Sequence, residues 1–91
     1  MENVKVRNME SARGNKIANQ FIIETKRATY FQSYKTLIAK KIWTTGVTVL
    51  DQNSWDYSVT TGKYRNQFLN ETKKETEAKI KSGEYKLKDL N

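Results

Sequence analysis

Side chains able to do chemistry fall into three groups in this chain, and two of the groups lack the partners their chemistry needs. Ser58, Thr60 and Thr61 place hydroxyls close together, but a hydroxyl becomes a nucleophile only beside a base. The sequence has no His and no Cys, which leaves Lys63 and Asp56 as the nearest titratable neighbours; helix capping accounts for these hydroxyls more simply. Asp51, Asn53, Ser54 and Asp56 bring oxygen ligands together, yet a calcium loop of the helix-loop-helix type needs a turn glycine and a bidentate Glu at fixed positions, and neither stands there. Gly14, Gly46, Gly62 and Gly83 are too dispersed to cradle a phosphate, because both nucleotide-binding glycine motifs need clustered glycines at a strand-to-helix junction. No catalytic residue, metal site or cofactor is legible, and an enzyme is not expected.

The third group is basic and aromatic. Seventeen Lys and Arg against ten Asp and Glu give +7, and the first fifty residues carry nine of the bases but only three of the acids. Lys5, Arg7, Arg13, Lys16, Lys26, Arg27, Lys35, Lys40 and Lys41 interleave there with Tyr30, Phe31, Tyr34 and Trp43. Cations that track phosphates and rings that stack on bases are the composition of a nucleic-acid surface. A half-buried sheet also wants aromatics inside and Lys on its edges. Phe31 and Trp43 are accordingly assigned to the core. Lys5, Arg7, Arg13, Lys26, Arg27, Tyr30, Tyr34 and Lys40 form the candidate binding set.

The elements that must position this set follow from the pattern. Asn3 to Met9 alternates Val4 and Val6 against Lys5 and Arg7, predicting a half-buried strand with the valines inward and the cations outward. Gly14-Asn15 allows a turn into a second, central strand over Ile17 to Thr25, with Ile17, Asn19, Phe21 and Ile23 on one face and Ala18, Gln20 and Ile22 on the other. Lys26 and Arg27 then form a basic tip before a strand over Thr29 to Tyr34. Residues 35–43 fit helix or strand; the flanking aromatics and the Thr44-Thr45-Gly46 turn favour strand, resuming at Val47 to Leu50. Past a polar loop around Trp55, itself expected to be mostly buried, the period changes. Ser58 or Thr60 can cap a helix over 59–70 that turns Tyr64, Phe68 and Leu69 inward. Thr72 and Glu75 fit the capping box of a second helix, with Glu75–Lys79 and Glu77–Lys81 as i,i+4 pairs and Ser82-Gly83 as its stop. Tyr85 and Leu87 suit a last short strand or docked tail.

Ser33, Tyr34, Thr36, Ile38 and Ala39, followed by Ser58, Thr60, Thr61, Lys63, Phe68 and Leu69, resemble a family of small proteins of phages and other bacterial mobile elements. Its pattern runs S-Y-x-T-x-I/V-A and then S-x-T-T-x-K/R-H-x-x-x-F-L. Tyr64 stands where that pattern has His, so any titratable role of the position is absent here. The resemblance covers under half the chain and implies a mobile-element origin; its function is unassigned. By analogy, such small proteins often modify or inhibit host systems, anti-CRISPR proteins being one case.

One domain is expected over 1–91, since two cores would leave each half too small to offset chain entropy. Its expected class is α+β: a β-meander over 1–51 giving a four- or five-stranded antiparallel sheet, a helical part over 58–82 packed on one face, and a strand or tail over 84–91. The expected function is that of a non-enzymatic phage or mobile-element accessory protein that binds nucleic acid or a nucleoprotein through a basic sheet surface. The alternative is a protein-binding inhibitor of a host defence system. No apolar run suits a membrane span, and a cytoplasmic location, that of the host cell if phage-encoded, is expected. An unpaired edge strand would permit dimerisation, but the sequence does not specify an oligomeric state.

Overall fold

A computed structural model describes residues 4–91; Asn3, where the alternation predicts the first strand to begin, lies outside the described residues. The chain runs β1 (Lys5–Glu10), β2 (Lys16–Glu24), β3 (Ala28–Ser33), β4 (Thr36–Ile42), β5 (Thr48–Asp51), α1 (Val59–Leu69), α2 (Lys73–Ser82) and β6 (Tyr85–Lys88). The fold is α+β, with both helices following the meander. Its one sheet has six strands in sequence order, antiparallel except for the parallel β5–β6 pair. The strand beyond the four or five expected is the C-terminal segment, which joins the same sheet rather than docking beside it. Residues 36–42 settle as strand, paired on both sides.

The helices form where local chemistry starts and stops them. Ser58, not Thr60, caps α1: its hydroxyl accepts from the Thr61 N–H at 3.0 Å. Asn70 ends that helix in the left-handed region, where an Asn side chain is tolerated better than most. Thr72 and Glu75 complete the capping box of α2, and Gly83 closes it at φ 87°. The expected Glu75–Lys79 pair does not form, because Glu75 serves the cap and Lys79 reaches back to Glu71 at 3.2 Å. Tyr85 also donates to Glu71. Burial, that hydrogen bond and the Glu71 charge together push the Tyr85 phenol up to about 12.

Residues paired directly across a sheet share a face. One row runs Arg7, Ile22, Phe31, Ala39, Leu50 and Leu87 from β1 to β6, and the next runs Lys5, Glu24, Thr29, Lys41, Thr48 and Tyr85. Both rows belong to the helix-bearing face, since Phe31 stacks on Phe68 of α1 with ring centres 5.7 Å apart and Ser33 meets Thr61 at 3.1 Å. Met9, Ile22, Phe31, Ile38, Ala39, Leu50, Phe68, Leu69 and Tyr85 build the core, with Tyr64, Ile17, Trp55 and Ile80 packed against it. Burying a ring such as Phe68 stabilises by roughly 1.5–3 kcal/mol.

The face assignment of β1 is therefore the reverse of the one the alternation predicts. Val4 and Val6 are 56% and 62% exposed, while Met9, from the side that carries Lys5 and Arg7, is buried. In β2 the buried residues are Gln20 and Ile22. The left-handed φ of 64° at Asn19 and the register shift opposite, between Asn8 and Glu10, break the alternation there. Between the pairs Asn8–Phe21 and Glu10–Lys16, β2 advances five residues to two of β1, and an odd number of extra residues exchanges faces, which is why Ile17 still reaches the core.

Candidate nucleic-acid interface

An antiparallel meander returns alternate turns to the same end of the sheet. The 25–27 and 43–47 turns meet in this way: the Trp43 N–H donates to the Arg27 carbonyl at 2.8 Å. Lys5 pairs in register with Glu24, just before the first of these turns. Lys5, Arg7, Lys26 and Arg27 therefore gather at one end. Arg7 among them lines a groove of about 400 Å³ on the helix-bearing face, together with Glu10, Glu24, Thr29, Lys41, Trp43 and Phe68. Arg7 and Glu24 form an ion pair at 3.0 Å with both side chains largely in solvent.

Trp43 is 60% exposed at this groove, so its assignment to the core is corrected, whereas Phe31 is fully buried as expected. The indole directly follows β4 and lines the groove together with Gln67 and Phe68 from the end of α1. Lys41, two residues earlier, donates to the Phe68 carbonyl at 2.8 Å and lies over the Phe68 ring at 4.6 Å. Partial burial lowers the pKa of its ammonium, against the opposing pull of Glu71.

The rest of the candidate set lies elsewhere. Tyr30 and Lys40 are cross-strand partners on the opposite, helix-free face, the Lys40 ammonium 5.7 Å from the ring centre. That face also carries Ile23 and Leu37, and Leu90 of the C-terminal tail lies against it. Arg13, in the 11–15 turn, and Tyr34, at φ 55° in the β3–β4 turn, stand at the far end of the sheet. One basic sheet surface uniting all of these residues is not what the fold builds.

Sequence reasoning left Trp43, Lys41 and Glu24 out of the site. The signal that finds them is topological: a tryptophan directly before the Thr44-Thr45-Gly46 turn must share an end with the Lys26-Arg27 tip.

A second cluster of tryptophan, arginine and carboxylate closes the loop before α1. Arg65, 1% exposed, donates to the Trp55 carbonyl at 2.7 Å, to Asp56 at 3.3 Å and to Asn66 at 3.0 Å, and its guanidinium lies 5.1 Å from the Trp55 ring centre. Lys73 reaches the other Asp56 oxygen at 2.8 Å. Burial alone would raise the Asp56 carboxyl, but the bonds and charges of Lys73 and Arg65 hold it below 3.8. Trp55 is mostly buried, as expected, packed against the core with Glu77, Ala78, Ile80 and Lys81 beside it.

Fold and groove together define a small α+β protein with an open, aromatic-edged cleft whose two cations, Arg7 and Lys41, face two carboxylates, Glu10 and Glu24. The chain belongs to a family of unknown function, DUF8033, whose model matches residues 4–84. No curated protein and no solved structure matches it.

Proposed function

We propose that this protein is a non-catalytic nucleic-acid-binding accessory protein that engages single strands through the groove at Trp43. The observation that carries this reading is an indole left 60% exposed beside Arg7, Lys41 and the Lys26-Arg27 tip. A large ring in solvent has no folding role that requires its exposure, whereas a base can stack on it while nearby cations meet the flanking phosphates. The mobile-element setting is supported by the resemblance carried by Ser33–Ala39 and Ser58–Leu69.

The test is binding of a labelled single strand across a salt series. Neutralising phosphates with Lys5, Arg7, Lys26 and Arg27 gives a log-log slope of about −3. Replacing all four with Ala should flatten it, and Trp43→Ala should weaken binding by about 1–3 kcal/mol with the slope unchanged. Failure of both single-stranded and duplex oligonucleotides to bind at near-physiological salt sinks the reading. Capture of a host protein that survives nuclease would then support the inhibitor reading, for which the helix-free sheet face with Tyr30, Ile23 and Leu37 is the available surface.

A further inference from the structure

A groove that only followed phosphates would have no use for carboxylates, yet Glu10 and Glu24 both line this one, Glu24 between Lys5 and Thr29 in the cross-strand row. Arg7 engages its Oε1, and a carboxylate accepts about four hydrogen bonds, so accepting capacity remains. On the far side of Thr29 stands Lys41, whose ammonium has three donors and gives one to Phe68. With neighbouring strands about 4.8 Å apart, Glu24 and Lys41 rise from positions about 10 Å apart. An acceptor and a donor thus flank a polar floor beside the exposed face of Trp43.

We propose that this groove holds one nucleobase and favours bases bearing an exocyclic amine, with Glu24 accepting from that amine and Lys41 donating to the adjacent ring nitrogen or carbonyl. The inference rests on the nucleic-acid reading of the groove and adds the class of base. Cytosine, adenine and guanine each place an amine donor near an acceptor, while thymine and uracil have no exocyclic amine and offer Glu24 only the ring N3–H, which a carbonyl flanks on either side. Turning that N–H to Glu24 brings a carbonyl to each side of the carboxylate, and this repulsion is what discriminates against them. Arg7, bound to Oε1, holds the Glu24 carboxylate in place.

The experiment compares twelve-nucleotide oligo-dC, oligo-dA and oligo-dT by fluorescence anisotropy with the wild type, Glu24→Gln and Glu24→Met. Wild type should bind oligo-dC and oligo-dA about tenfold more tightly than oligo-dT, the size of one charge-assisted hydrogen bond. Glu24→Gln keeps one acceptor and should retain a reduced preference, whereas Glu24→Met should bind all three within about twofold at an undiminished salt slope. A purely electrostatic role of Glu24 would make the two variants behave alike. That result, or equal wild-type affinity for all three oligonucleotides, overturns the base assignment and leaves the nucleic-acid reading standing. Absence of binding to every oligonucleotide overturns that reading and the base assignment with it.

Discussion

The protein assembles tryptophan, arginine and a carboxylate twice, and the two clusters are put to opposite uses. Around Arg65 the set is closed: the guanidinium is buried, its two terminal nitrogens donate to Trp55, Asp56 and Asn66, and the Trp55 ring lies against it. Around Arg7 the set is open. Glu24 takes one contact at 3.0 Å, both side chains face water, and among the described residues no ring or cation is seated on the indole of Trp43. Identical chemistry therefore fixes a loop in one place and stands open to solvent in the other, the difference being whether the guanidinium is buried.

The largest effect that tests this contrast is at the closed cluster. Arg65→Met should cost about 1–3 kcal/mol, because the Trp55 carbonyl loses a buried donor that nothing else replaces while Asp56 keeps Lys73. A denaturation midpoint close to wild type would show the cluster to be dispensable.

Acid should weaken the same cluster next. The folded Asp56 carboxyl lies below the ordinary 3.8, so its contribution is fully present above that pH and is lost as pH falls through the folded value. Asp51 behaves alike, its burial outweighed by bonds from the Leu90 N–H, Ser54 and Asn91. Urea midpoints should therefore drop between pH 5 and pH 2. Asp56→Asn should lower the neutral-pH midpoint and reduce that dependence; an unchanged pH profile in the variant would remove Asp56 from the account.

The indoles give an optical version of the comparison. In Trp43→Phe the remaining Trp55 should be quenched by acrylamide less than Trp43 is in Trp55→Phe; equal quenching would erase the distinction between closed and open. At the open cluster, Arg7→Ala should change stability by about 1 kcal/mol or less, as exposed pairs do. Smallest of all, Lys74→Ala and Lys81→Ala, on the solvated side of α2, should each stay within about 0.5 kcal/mol. A larger loss at either lysine would mean that α2 is held by more than its cap and its packing on β6.

What could be read from the sequence was what short-range chemistry decides. Ser58, Thr72 and Gly83 set helix ends through bonds to residues at most a turn away, so their roles follow from spacing alone. The faces of β1 and β2 were not legible, because the irregularities at Asn19 and opposite it depend on how two strands meet. Nor was the exposure of Trp43, since whether an aromatic at a strand end is covered depends on where a helix many residues later stops. The buried Arg65 escaped notice for a related reason: it lies one turn after Thr61 on the inward side of α1, a place that spacing assigns to apolar side chains. Four of the candidate cations converged because hairpin tips alternate ends, while Tyr30, Lys40, Arg13 and Tyr34 were grouped with them by composition alone.

The parallel pairing of β5 with β6 also sets an order of assembly. Each of the first five strands meets its neighbour across a short turn, but β6 finds β5 only after residues 52–84 have closed into a loop. Loop entropy makes that closure about 2 kcal/mol costlier than a four-residue hairpin. The last seam is therefore the latest contact to form and the first to open, and it opens together with the helices it encloses. Amides of β6 should exchange with solvent at the rate of α2, ahead of those in β3, and Asn91, whose side chain bonds the Leu37 N–H and carbonyl at 2.8 and 3.0 Å, is the clasp that slows this opening.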